Sequence, residues 1–139
     1  MTASRTLSWG LAIGIVVWVA GLLLVPDLLF PAGHFLCHQR PDRSFFVHGH
    51  QLPVCARCTG LYAGAAIGAP IALLTAAAMS SARARLVLGV AALPTLVTWS
   101  LEFAGIVPFS NVARFAAALP LGVAAAWLVL GVLRPTRVR

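Results

Sequence analysis

Apolar residues in this chain fall into four long blocks, and the charges are confined to the gaps between them. No charged residue lies between Arg5 and Asp27, between Arg57 and Arg83, between Arg85 and Glu102, or between Arg114 and Arg134. A helix rises about 1.5 Å per residue, so roughly 20 apolar residues cross a hydrocarbon layer of about 30 Å. Three blocks reach that length; the third in order is interrupted by Glu102 and resumes to Val107. The pattern predicts an all-α fold: a compact bundle of four transmembrane helices at about 6–29, 55–79, 84–107 and 112–133, forming a single membrane domain over 1–139. A bend is expected at Pro94. The segment 30–54 reads as a loop, because Pro31, Pro41 and Pro53 do not suit one continuous helix. Ser80 to Arg83 reads as a short turn, and Ser110 or Asn111 as the cap of the last helix.

Composition sharpens this picture. Charged residues make up 9% of the chain and hydrophobic ones 60%, whereas a soluble domain carries about 25% charged residues. The first block begins with Arg5 but exceeds a signal-peptide core and lacks a small-x-small cleavage site, so it reads as an uncleaved helix. The formal net charge of +7 comes from arginines at helix ends. They form no basic face, which argues against nucleic acid as a partner. Arg5, Arg83, Arg85, Arg134, Arg137 and Arg139 fall on one side of the membrane, and Arg40, Arg43, Arg57 and Arg114 on the other. The imbalance favours both termini in the cytoplasm of a prokaryotic inner membrane. Whichever way the chain faces, the 30–54 loop and the loop at Ser110 share a side.

Small residues recur every fourth position: Gly10 and Gly14, then Gly60, Gly64 and Gly68, then Ala118, Gly122 and Ala126. Such spacing lets helix backbones approach closely in lipid. Packing within one chain accounts for it, and a homo-oligomer or larger membrane complex is the alternative partner.

The chemistry gathers at one end. Cys37 and His38 lie in the loop, Cys55 and Cys58 open the second span as Cys-Ala-Arg-Cys, and His34, His48 and His50 are near in sequence. At 100° per residue Cys55, Cys58, Thr59 and Tyr62 share one face of that helix, away from its glycines. Thr95, Thr98, Trp99 and Glu102 make a polar stripe on the next. An ionisable group in a span normally faces a partner, and Glu102 has two at matching depth, Arg57 and Arg114. With Arg43 and Asn111 these residues outline a polar chamber, for which a structural ion pair is the plain alternative.

Two chemistries suit the cysteines. Cys37, His38, Cys55 and Cys58 form a Cys₃His set for zinc or another transition metal. Adjacent Cys37 and His38 rarely chelate one ion, so His34, His48 or His50 are alternative fourth ligands. A Cys-x-x-Cys at a helix start also suits thiol–disulfide exchange through Cys55 and Cys58. A structural disulfide is the unreactive alternative.

The blocks Cys37-His38-Gln39, Pro41, Arg43-Ser44-Phe45 and Pro53-x-Cys55-x-Arg57-Cys58-Thr59-Gly60-x-Tyr62-x-Gly64 resemble a family of small prokaryotic membrane proteins catalogued as a domain of unknown function. The likeness extends through Ser110-Asn111-x-x-Arg114 to about Gly122. In that family the third span carries an Asp-Gly and a Gln, where this chain has Thr98-Trp99 and Glu102. The resemblance implies the fold and the grouping of site residues, and no reaction. A weaker likeness links the chain to quinone-coupled disulfide-forming membrane proteins, also four-helix bundles with Cys-x-x-Cys at the outer start of the second helix. Those need a second cysteine pair, and here only Cys37 is left over. The expected function is therefore a metal-binding membrane protein, the metal structural or sensory. The alternatives are a quinone-linked oxidoreductase and a small structural subunit.

Overall fold

The computed structural model of the chain describes residues 2–75 and 79–133. Four helices are long and apolar enough to cross a membrane. They are α1 (Thr2–Leu24), α3 (Ala56–Thr75), α4 (Ser81–Phe103) and α5 (Asn111–Leu133), with a short α2 (Pro26–His34) after the first. The end of the expected second helix, 76–78, and the arginine tail from Arg134 to Arg139 lie outside the described residues.

The first apolar block is not one helix to Leu29. It breaks at Val25, whose φ of −136° and ψ of 54° leave the helical region, and restarts with Pro26 in its first turn. Proline lacks an N–H and disfavours helical geometry in the residue before it, yet suits a helix start. Pro31 then sits inside α2 rather than opening a loop.

The 30–54 segment is also more ordered than an irregular loop. After a 3₁₀ turn (Pro41–Arg43) it forms an antiparallel hairpin, β1 (Ser44–Val47) and β2 (His50–Cys55), with Val47 opposite His50. The two turn residues, His48 and Gly49, have φ of 50° and 85°. Tight hairpins prefer this doubly left-handed geometry, and glycine supplies half of it without steric cost. Leu52, Pro53 and Val54 are buried, so the hairpin is a packed lid over one end of the bundle.

α3 and α5 form the centre of the bundle. A side chain at Gly60, Gly64 or Gly68 would strike the α5 backbone at Phe115, Leu119 and Val123 respectively; one at Gly122 would strike Leu61. The two backbones therefore touch directly, and dispersion rather than side-chain interlocking holds them. Gly10 and Gly14 differ, having open space where a side chain would stand; their spacing marks no contact among the described residues. α4 packs chiefly on α5, where Thr95 donates to the Ala117 carbonyl at 2.8 Å.

α4 stops at Phe103, four residues before the expected end. Gly105, at φ 68°, turns the chain; its N–H donates to the Glu102 carbonyl (3.2 Å) and the Ile106 N–H to the Leu101 carbonyl (3.0 Å). This is a Schellman closure, which needs a left-handed residue best supplied by glycine. Glu102 thus stands in the last turn of α4, not well inside it. Ser110 caps α5 by accepting from the Ala113 N–H at 3.2 Å.

Candidate functional site

Three segments meet at the hairpin end: the turn after α2, the end of β2, and the first turn of α3. They bring the sulfurs of Cys37, Cys55 and Cys58 within 4.8 Å of one another. All three are free thiols and half-buried. Cys55 and Cys58 approach because a single helical turn separates them. Cys37 arrives from 18 residues upstream and accepts a hydrogen bond from the Cys55 N–H at 3.2 Å.

Side-chain amides hold that return of the chain. Gln39, itself at φ 49°, donates to the Phe30 carbonyl at 2.6 Å and to the Pro53 carbonyl at 3.0 Å. Gln51 donates to the Gln39 carbonyl at 2.7 Å and to the Ser44 hydroxyl at 3.2 Å. Thr59 donates to the Cys55 carbonyl at 3.1 Å, closing the join between strand and helix. The cysteine pattern did not reveal this amide frame, although Gln39 directly follows the Cys37-His38 pair.

The Cys55 thiol, at the end of β2, is held at about 5 against an ordinary 9.0. A hydrogen bond from the Cys58 thiol is the main cause. It outweighs partial burial, and the backbone N–H of Cys58, the Cys37 thiol and the backbone N–H of Arg57 act in the same direction. At neutral pH Cys55 is a thiolate.

The histidines do not join the sulfurs. His38 is exposed and stands outside the three-sulfur group, as do His34, His48 and His50. His34 lies edge-on to Phe35, at 6.4 Å between rings. His48 occupies the hairpin turn, and His50 pairs through Nδ1 with Asp27 at 2.8 Å, linking hairpin to α2.

Beside the sulfurs, Glu102 receives two arginines. Arg57 Nη2 donates to Glu102 Oε2 at 3.0 Å, and Arg114 Nε reaches both carboxylate oxygens at 3.0 Å. The Glu102 and Arg114 side chains are 5% and 3% exposed, and that of Arg57 is 22% exposed. Arg114 also donates to the Asn111 side-chain carbonyl at 3.4 Å, while the Asn111 amide donates to the Ser44 carbonyl at 3.1 Å. The hairpin and the turn before α5 therefore lie at the same end of the bundle. Arg43 and Arg114 both lie over the Phe109 ring, at 5.3 Å and 4.7 Å from its centre. The upper stripe of α4 behaves differently. Thr98 bonds back to its own helix, and Trp99 is exposed and stacked on Phe103 at 5.3 Å.

Residues 37–128 match the family described as "Predicted membrane protein (DUF2085)". The chain belongs to this family. The matched span starts at Cys37 and so contains all three cysteines, the hairpin, and the Glu102 cluster, but neither α1 nor α2. An uncharacterized protein of Methanothermobacter thermautotrophicus is 36% identical over 94 residues, covering 68% of this chain and 84% of the relative. An uncharacterized protein of Methanocaldococcus jannaschii is 50% identical over 40 residues, which are 29% of this chain and 26% of that protein. No solved structure matches the chain.

Proposed function

We propose that Cys37, Cys55 and Cys58 bind one transition-metal ion, zinc above all, and that the ion fastens the hairpin lid to the bundle in a structural or sensory role. The convergence of three sulfurs within 4.8 Å carries the reading. Sulfurs around tetrahedral zinc, at about 2.3 Å from the metal, stand roughly 3.8 Å apart, so only a small contraction is required. The hydrogen bond from the Cys55 N–H to the Cys37 sulfur holds that sulfur beside the other two. A fourth ligand, from His38 or from water, completes the tetrahedron. In this reading both termini are cytoplasmic, the membrane is a prokaryotic inner membrane, and the lid faces outward.

The test is elemental analysis of protein purified without chelator, paired with a thiol count. About one ion per chain is expected, with thiols that resist alkylation until chelator is added. Cys58→Ser is expected to lose the ion and to expose the 37–55 segment to protease together.

A second reading rests on the thiolate at Cys55 beside Cys58. Oxidation of the pair, one thiolate and one thiol, to a disulfide would pass two electrons and one proton to a lipid quinone, and a second proton from water would complete the quinol. Metal-free protein whose Cys55–Cys58 bond forms and breaks reversibly would replace the metal reading with this one.

A further inference from the structure

We infer that the arginine cluster around Glu102 is a phosphate-binding site at the headgroup level on the hairpin side of the membrane. The argument begins with charge. Two guanidinium groups share one carboxylate, which leaves one positive charge uncompensated in a place where Arg114 and Glu102 are nearly shut off from water. The whole chain has three acidic side chains. Asp27 pairs with His50, and Asp42 is divided between Arg40 and Arg43, so neither is available to balance Arg57 and Arg114. A buried charge without a counter-charge is costly in a low dielectric, and the cost falls when an anion enters.

The donors point the same way. Arg57 Nε is buried and has no hydrogen-bond partner among the described residues; Arg43 Nε is buried with only a 3.5 Å ion pair to Asp42. A guanidinium carries five N–H groups in a planar fork that matches phosphate oxygens. Phe109 keeps the Arg43 and Arg114 guanidinia together by lying beneath both. Access is graded. Arg114 is sealed in, while Arg57 and Arg43, at 22% and 40% side-chain exposure, open outward.

Position selects the ligand. Arg57 and Arg114 occupy the first turns of α3 and α5, whose unpaired backbone N–H groups add positive potential. Glu102 is in the last turn of α4. All three thus sit at the ends of membrane spans, where lipid phosphates lie. The sulfur cluster shares this end of the bundle, but the site needs no metal and does not depend on the reading above.

The experiment uses protein in a phosphate-free maltoside detergent, with its unfolding temperature followed during titration. The added probes are inorganic phosphate, short-chain phosphatidylglycerol, and the corresponding diacylglycerol as an uncharged control. A saturable rise with phosphatidylglycerol or with phosphate is expected, and none with diacylglycerol. A rise with the lipid alone assigns a headgroup site, and a rise with inorganic phosphate as well assigns a site open to free phosphate. Arg57→Gln is expected to weaken binding about tenfold, the value of one charge-assisted hydrogen bond. Arg43→Gln, which leaves both Glu102 pairs intact, is expected to weaken it similarly and serves if Arg57→Gln does not fold. No response to either phosphate probe, or the same half-saturation in Arg43→Gln as in the unaltered protein, overturns the inference.

Discussion

Along the same pair of helices, α3 and α5, two kinds of cohesion meet. In the membrane interior Gly60, Gly64 and Gly68 let backbone lie on backbone, with no charge involved. At the hairpin end the same helices are joined through Glu102, a residue of neither, by charged hydrogen bonds at 3.0 Å. Lipid provides no hydrophobic drive for helix association, so the interior must rely on closeness of fit. The hairpin end lies at the ends of the spans, near water and headgroups, where polar groups cost less. The two regions differ in tolerance: the seam fails on added volume, the hairpin end on lost charge.

The largest effect is expected at the seam. Gly64→Leu puts a side chain where the Leu119 carbonyl of α5 stands, and must part the helices. Its loss of stability is expected to exceed about 4 kcal/mol, beyond ordinary substitutions, whereas Leu74→Ala, at an exposed position on the same helix, stays within about 0.5 kcal/mol. Thermal unfolding in detergent measures both. Equal melting temperatures would erase the distinction drawn here.

Next comes the hairpin end. Glu102→Gln leaves two arginines without their carboxylate and is expected to cost about 3 kcal/mol, the lower end for breaking a buried pair. Adding Arg114→Gln should return part of the loss, since one uncompensated charge goes with it. Chemical denaturation of the single and double variants gives the coupling. Additive losses would place the hairpin end among regions held by shape alone.

The smallest effect is a titration. In chelator-treated protein Cys55 is expected to react with iodoacetamide at half its full rate near pH 5, the value to which its thiol is lowered. The sign is that of a depressed acid: the thiolate persists down to about pH 5, while the stability it contributes is complete above the ordinary value of 9.0 and is lost progressively as pH falls from there to about 5. Rates that rise only above pH 8 would show a thiol that its neighbours do not influence.

Much of this was legible because charges are so few. With Glu102 the only carboxylate in the later half, Arg57 and Arg114 were its evident partners, and both pair with it. The spans were legible for the same reason. Their ends were less so, because apolar composition runs past the signals that stop a helix. Pro26 restarts the first block, and Gly105 ends α4, yet Leu28-Leu29 and Ile106-Val107 continue the apolar pattern beyond them. The hairpin left a trace in Phe45-Phe46-Val47 and Leu52-Pro53-Val54 on either side of His48-Gly49. Three prolines made the whole segment read as irregular. The histidines were less legible, because sequence proximity says nothing of direction: His50 pairs with Asp27, and His38 stands outside the three-sulfur group that its neighbour joins.

The order of the chain gives the two clusters different histories during synthesis. The three cysteines and the hairpin between them occupy residues 37–58, a short contiguous stretch of 22 residues. The hydrogen bonds from Gln39, Gln51 and Thr59 that frame these thiols all lie within residues 30–59, so their partners have left the ribosome before α4 and α5. The arginine cluster is different, because Arg57 must wait for Glu102 and Arg114. Until α4 inserts and brings Glu102, the nascent protein carries an unneutralised arginine at the head of α3 beside these thiols. Its membrane anchoring at that stage rests on α1 and α3, and the charge that later joins three helices is available to hold the emerging lid at the lipid surface.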